Sequence, residues 1–261
     1  MSALPYTLVD QMPPQLGLVA LQSDETIERD MRQLLPDSVE LLVTRIPSAE
    51  DVTPETLAAM EPELSRAVSL FPRAASFSVV GYGCTSGTAQ IGVDRITDLV
   101  RSKCNSRVVT QPVSALLAAC EALQVRKLAF VSPYVASVSE RLMNELESRG
   151  LDIPAFGSFD EQLEAQVVRI APDSVSDGAM AVARKAKCDA IFLSCTNLRT
   201  LDLIEDIEDA TGLPVLSSNL VLAWDMLRHT GLSARAEAPG RLFNADVLRT
   251  NGQSSDLSSA V

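Results

Sequence analysis

Two cysteines in this chain follow short apolar runs and sit in turns rich in glycine, threonine and asparagine. The first is Cys84, in Ser78-Val-Val-Gly-Tyr-Gly-Cys-Thr-Ser-Gly-Thr88. The second is Cys195, in Ile191-Phe-Leu-Ser-Cys-Thr-Asn197. The pattern predicts that a strand ends at each cysteine and that a helix begins just after it. Glycines around Cys84 let a ligand approach the backbone closely, and the N–H groups of Thr85, Ser86 and Gly87 form a cradle for an anion at a helix N-terminus. The same positive field favours a thiolate, so a lowered thiol pKa is expected, suited to nucleophilic or general-base work near neutral pH. Thr196 and Asn197 repeat the arrangement, each able to cap the next helix and donate to a carboxylate. A free cysteine is commonly just a buried apolar residue, but Cys-Thr at matching turns argues for chemistry at these two. Cys104, Cys120 and Cys188 lie in or beside expected helices and read as packing or surface residues.

Two acid/base groups on opposite faces of one carbon are what a racemase without a cofactor needs, because a proton leaves one face and returns to the other. The same pair suits cis–trans isomerisation. One thiolate adds to an activated double bond, the new single bond rotates, and elimination releases the other isomer while the second cysteine manages a proton.

Short β-rich runs alternate along the chain with segments of helical period, the pattern of an α/β protein with parallel sheets. Strands are expected at Leu16–Leu21, Val39–Thr44, Phe77–Gly81, Arg107–Thr110, Lys127–Val131, Leu151–Phe156, Ala190–Ser194 and Pro214–Leu216. Helices are expected at Glu25–Leu35, Pro54–Phe71, Thr88–Lys103, Val113–Leu123, Val135–Arg149, Pro172–Lys187, Leu198–Ala210 and Asn219–Arg228. The arrangement repeats. Cys84 and Cys195 are 111 residues apart, as are Leu18 and Ala129 in the first strands of the two halves. A duplication explains this, giving two similar lobes, each a flavodoxin-like parallel sheet flanked by helices. A pseudo-twofold axis would relate the lobes and place the active site between their carboxyl strand ends. The expected organisation is an N-terminal extension at 1–15, lobe 1 at 16–124 with Cys84, lobe 2 at 125–230 with Cys195, and a C-terminal segment at 231–261. Chain from the C-terminus is a candidate to complete lobe 1.

Composition narrows the classes. The chain has 261 residues, 46% of them hydrophobic, enough for one full core in one large or two small domains. A net charge of -12 with no basic stripe argues against nucleic-acid binding. Residues 1–15 hold Asp10 and several polar or proline breaks, which fit neither a signal peptide nor a membrane span, so a cytoplasmic protein with no membrane partner is expected. Five cysteines without CxxC spacing suggest neither disulfides nor zinc. The lone histidine, His229, falls at an expected helix end, where it caps carbonyls or meets solvent, and rules out a His-rich metal site. Gly81-Tyr-Gly-Cys-Thr-Ser-Gly87 lacks GxGxxG spacing and no GxxxxGK[ST] loop occurs. Neither a cofactor nor a metal is expected.

These motifs resemble the Asp/Glu racemase superfamily over nearly the whole chain, from Leu16 to about Phe243, and within it the branch of maleate cis–trans isomerase and arylmalonate decarboxylase. Gly83–Gly87 (GCTSG) and Ser194–Asp202 (SCTNLRTLD) carry the resemblance, with Pro239–Phe243 similar to the branch's closing signature. It implies Cys84 as nucleophile or base and Cys195 as partner acid/base. Tyr134, in Ser-Pro-Tyr-Val-Ala, matches a tyrosine that hydrogen-bonds substrate carboxylate or enediolate, although a strand-end aromatic can also simply pack. Decarboxylases of the branch have glycine where Cys84 stands, which sets decarboxylation behind isomerisation here. Relatives are often dimers, so a homo-oligomer, dimer or tetramer, is expected.

One loop departs from the branch. Maleate isomerases carry Pro-Ser-x-Asn-Thr-Thr there, with an Asn that holds a substrate carboxylate; this chain has Leu21-Gln-Ser-Asp-Glu-Thr26. Asp24 beside a dicarboxylate would be repelled by roughly 4 kcal/mol at about 4 Å in a half-exposed site. Asp24 reads either as a contact to a substrate of different charge or as a plain N-cap of the next helix. This loop, Thr44–Ser48 (TRIPS) and the Cys84 run look like the ectoine-utilisation A proteins, associated with ectoine and hydroxyectoine breakdown, whose compounds carry a cationic amidine beside a carboxylate. The substrate classes are therefore a maleate-like acid, an amino acid, or an ectoine-type compound handled by a racemase or epimerase. A solute-binding module without catalysis is the other class that two lobes around a crevice describe.

Overall fold

Parallel strands cannot be joined by tight hairpins and need crossovers of a dozen or more residues, which this chain supplies as helices. In residues 3–244, which the computed structural model describes, one sheet holds β1 (Gln15–Leu21), β2 (Glu40–Ile46), β3 (Ser76–Tyr82) and β4 (Asn105–Thr110) in the order β2-β1-β3-β4. A second sheet holds β5 (Lys127–Tyr134), β6 (Asp152–Glu161), β7 (Ala190–Leu193) and β8 (Val215–Ser217) in the matching order β6-β5-β7-β8. Every pairing is parallel. Central strands are buried on both faces and read as unbroken apolar runs, as Ala190–Leu193 does. The fold is thus the α/β pair of four-stranded parallel sheets that the alternation predicts.

The helices are α1 (Ile27–Leu34), α2 (Pro54–Ala58), α3 (Glu61–Val68), α4 (Thr85–Ile91), α5 (Val93–Arg101), α6 (Pro112–Leu123), α7 (Ala136–Ser148), α8 (Glu164–Val167), α9 (Pro172–Ala183), α10 (Ile204–Thr211) and α11 (Ser218–Arg228). Three departures from the sequence expectation have physical causes, two local and one tertiary. The helix expected over Pro54–Phe71 is broken into α2 and α3, because Pro62 lacks an N–H and disfavours helical backbone before it. The one expected over Thr88–Lys103 is broken at Gly92, whose φ of 97 is open to glycine at little cost. The one expected from Leu198 begins as a 3-10 turn at Leu201–Leu203 before α10, since residues 195–197 are held by contacts across the molecule. The strand expected at Leu151–Phe156 runs on to Glu161, and α8 behind it carries no helical signal in the sequence reading.

Helix α11 occupies the centre. Its residues from Ser218 to Leu227 are all buried, and it packs on α6, α1, β3, β4 and β8. Thr110 Oγ1 donates to Asp225 Oδ2 at 2.6 Å, pinning α11 to the end of β4. His229 is the C-terminal cap residue of α11 and is partly exposed. The C-terminal stretch expected at 231–261 lies outside the described residues from 245 onward. Among the described residues no helix is long and apolar enough to cross a membrane.

Candidate active site

Strand β3 ends one residue before the Gly83-Cys84 turn, and Cys84 is the N-cap of α4 in extended conformation. Its sulfur accepts the Gly87 N–H at 3.2 Å, a cap made by a thiol in place of a hydroxyl. Gly87 is required there: a Cβ would lie 2.8 Å from Cys84 Sγ, Met60 Cε and the Tyr82 hydroxyl. Cys195 follows β7 with a φ of 100, a conformation that L side chains rarely adopt and that costs of order 1–3 kcal/mol. The surrounding bonds hold it there. Ser218 Oγ accepts the Cys195 N–H at 3.0 Å and also the Thr85 hydroxyl at 2.7 Å, so one serine on α11 ties both cysteine turns together. Cys195 Sγ accepts the Asn197 N–H at 3.3 Å.

Both thiols line one cavity, with Leu21, Ser23, Asp24, Leu57, Thr85, Ser86, Tyr134, Glu164, Thr196 and Asn197. All eight residues singled out in the sequence therefore meet at one place. The interior space is about 10 Å³, room for roughly one water. Beside it the two halves are joined by backbone: Asp51 bridges Leu163, Val52 N–H donates to Gln162 O at 2.9 Å, and Glu164 N–H, from a residue that lines the cavity, donates to Glu50 O at 3.0 Å. Leu57 of α2 points its apolar side chain into the same space.

The expected lowering of the thiol pKa does not hold. Burial pushes Cys84 up to about 12, outweighing the Gly87 N–H bond, with the Glu164 and Asp24 charges adding to the rise. Burial and then the Glu164 charge raise Cys195 well above the ordinary thiol value, against the Tyr134 hydroxyl and the Asn197 N–H. Both cysteines rest as thiols, since one N–H dipole does not repay the loss of water around a sulfur anion.

Two other expectations change. Neither Thr196 nor Asn197 caps the next helix. The Thr196 hydroxyl donates to Gly83 O at 3.3 Å, while Asn197 Oδ1 accepts the Glu25 N–H at 2.9 Å, joining the β7 turn to the first loop. Asn197 does donate to a carboxylate, but it is the protein's own: Nδ2 lies 2.9 Å from Glu164 Oε2. Asp24 supports the start of α1 from two residues before its N-cap, Thr26, and also lines the cavity. Oδ1 accepts the N–H groups of Thr26 and Ile27, each at 2.8 Å, which caps the start of α1. Oδ2 is buried with no well-formed hydrogen bond, although the Thr196 hydroxyl nearby favours the carboxylate. Burial dominates and raises the Asp24 carboxyl above its ordinary value.

Glu164, Ser218 and Tyr82 were not singled out in the sequence. Glu164 stands on the short α8, in a stretch without a motif, yet its carboxylate accepts the Tyr134 hydroxyl at 2.6 Å, and burial raises its pKa. Tyr134 also places its oxygen 2.9 Å from Cys195 Sγ. Ser218 had a usable signal, a Ser-Ser-Asn run after an apolar strand that opens a helix. The Tyr82 hydroxyl is buried beside Cys84 and favours its thiolate without a well-formed hydrogen bond. Among the described residues no cluster of His, Cys, Asp and Glu has the arrangement of a metal site.

The family model of arylmalonate decarboxylase matches residues 87–243. The chain is similar to the maleate isomerase of Nocardia farcinica, 28% identical over 254 residues that cover 89% of this chain and 96% of that one. It is also similar to the arylmalonate decarboxylase of Bordetella bronchiseptica, 33% identical over 133 residues, 50% of this chain and 55% of that one. Among solved structures, a cysteine-to-serine variant of the Nocardia farcinica maleate cis-trans isomerase, with a covalently bound succinylcysteine intermediate, superposes with a TM-score of 0.78 at 26% identity, covering 89% of this chain and 98% of that one.

Proposed function

The chain belongs to the arylmalonate decarboxylase family, and we propose that it is a cofactor-independent isomerase of a small carboxylic acid that works through Cys84 and Cys195. The observation that carries this reading is that two thiols from different lobes line one small closed cavity. In the forward direction the Cys84 sulfur, once deprotonated, bonds to one carbon of an activated double bond, and the electron pair of that bond moves onto the neighbouring carbon and its carboxylate. Cys195 gives its proton to that carbon. The single bond turns, Cys195 takes the proton back, the C–S bond breaks, and the other isomer leaves. A succinylcysteine in the Nocardia farcinica enzyme is the species such an addition forms. With Cys84 at about 12, a standing thiolate at neutral pH would cost several kcal/mol, so its proton passes to a carboxylate of the bound acid as the C–S bond forms and returns to the sulfur when that bond breaks. Cys84 in place of a glycine is why decarboxylation ranks second.

A second reading concerns the charge of the substrate. Asp24 and Glu164 both line the cavity, and among the described residues no Lys, Arg or His does. A dianion would meet two carboxyls and no cation there, whereas a compound with a cationic group beside its carboxylate would find a partner in Asp24 Oδ2. Ectoine-type compounds have that charge pattern. Proton NMR in deuterium oxide tests both readings with maleate, aspartate, glutamate, ectoine and hydroxyectoine. The expected result is isomerisation of a double bond or exchange at one Cα–H, lost in Cys84→Ser. A blank panel contradicts the isomerase reading. Asp24→Asn is expected to shift preference toward the dianions, and an unchanged preference contradicts the pairing. The family resemblance carries the expectation of a homo-oligomer, dimer or tetramer, which light scattering weighs directly, while the cytoplasmic expectation rests on the polar and proline-broken stretch 1–15.

A further inference from the structure

The hydrogen bonds around Tyr134 fix the direction of a short proton chain. Tyr134 has a single O–H, and it donates to Glu164 Oε1 at 2.6 Å. The same phenol oxygen lies 2.9 Å from Cys195 Sγ, in a contact where either atom is able to donate. Glu164 Oε2 is occupied by Asn197 Nδ2 at 2.9 Å, and all four residues line the cavity. With the tyrosine proton committed to the carboxylate, the phenol oxygen is an acceptor, and the S–H of Cys195 is the donor that fills it.

We propose that Glu164 is a positioning residue that acts through Tyr134 to hold Cys195 in its S–H form, so that Cys195 begins the reaction as the proton donor and Cys84 as the nucleophile. This rests on the two-cysteine reading and gives it a direction. When the S–H bond breaks, the proton forms a C–H bond on the substrate, and the negative charge of the substrate carbanion ends on the Cys195 sulfur. The Tyr134 O–H then turns from Glu164 to that sulfur, and turns back once Cys195 regains its proton. Glu164 gains and loses no proton, and no outside reactant is needed. The titratable groups that face Glu164 across the cavity are Tyr134, Cys195, Cys84 and Asp24. None of them is a cation that would neutralise its charge. Burial and the Glu164 charge raise the Cys195 thiol, and a Tyr134 hydroxyl turned toward the sulfur opposes them, so a hydroxyl committed to Glu164 withholds the bond that favours the thiolate.

Sequence reasoning passes over this residue because its function depends on where the β6–α8 segment lands. A Gln at 164 would keep the bond to Asn197 but would not draw the Tyr134 proton away from Cys195.

The test is alkylation of Cys195 by iodoacetamide across neutral to alkaline pH, read by peptide mass spectrometry apart from the other cysteines. In Glu164→Gln the inflection is expected to move down by about one pH unit or more, a rise of about tenfold in neutral-pH labelling. Adding Tyr134→Phe should remove that gain. Should Glu164→Gln not fold, Glu164→Asp, whose shorter carboxylate falls away from the Tyr134 hydroxyl, is expected to shift the inflection the same way. An unchanged profile in the variant that folds overturns the proposal. A gain of equal size without Tyr134 also overturns it, since it would mean that Glu164 acts only by charge. Labelling needs no turnover, so a failure here is distinct from a blank substrate panel.

Discussion

The Cys84 sulfur occupies space that exists only because residue 87 has no side chain. A Cβ at Gly87 would press on Cys84 Sγ, Met60 Cε and the Tyr82 hydroxyl, each at 2.8 Å. Side-chain ends can move, so Gly87→Ala is expected to fold, with a loss of about 1–3 kcal/mol for overpacking. The sulfur cannot move without leaving its alignment, so turnover should fall by about a hundredfold. Thermal melts together with turnover check both halves, and a variant of normal activity would mean that the position of Cys84 is not critical. At this scale the sequence was legible wherever a residue type and its turn announced a role: Cys84, Cys195, Asp24 and Tyr134 all reach the cavity. It was not legible for Glu164, because a lone Glu in a short helix looks like any solvated acid until the fold buries it. Nor could the thiol pKa be read from a helix N-terminus alone. Burial reverses its direction, and burial belongs to the assembled molecule.

Helices α1 and α11 meet through a further buried carboxyl, outside the cavity. Asp30 Oδ2 accepts Asn219 Nδ2 at 2.8 Å, and the same amide donates to Thr196 O at 2.7 Å, while Asp30 Oδ1 has no partner. Burial raises Asp30 from 3.8 to about 7, with the Asn219 bond opposing. Below the ordinary value the proton is held in both folded and unfolded chains, and the group is not a liability. As pH rises from there to about 7 the unfolded chain ionises first, so the folded state loses stability across that window. The full shift corresponds to roughly 4 kcal/mol as an upper value. Asp30→Asn keeps an acceptor for Asn219 and is expected to flatten this pH dependence and stabilise the protein above neutrality. Denaturant melts at mildly acid and mildly alkaline pH measure it; an equal loss of stability at both would contradict the account. Elements themselves were legible from periodicity and capping, since each expected strand is present. The failures are interruptions: Pro62 and Gly92 were visible and outvoted by apolar period, whereas the late start of α10 follows from contacts that Thr196 and Asn197 make with Gly83 and Glu25, far away in sequence.

For the whole molecule, two sheets of one strand order bring the turns after their third strands to a common cavity, and helix α11 fills the space between. The spacing of 111 residues between the cysteines makes that convergence readable in the sequence. The backbone pairing beside the cavity was not readable. It consists of backbone bonds between residues 50–52 and 162–164, and backbone bonds carry no residue signature. The cavity between the two cysteine turns has room for roughly one water, so both thiols and both carboxyls are held away from bulk solvent. The most direct measurement of the central claim is mass spectrometry of the protein after treatment with phenylarsine oxide, which binds two thiols only if one arsenic atom reaches both. One arsenical bridging Cys84 and Cys195 is the result predicted, lost in either Cys84→Ser or Cys195→Ser. Separate labelling of the two cysteines by a monothiol reagent, with no bridged arsenical, would contradict it.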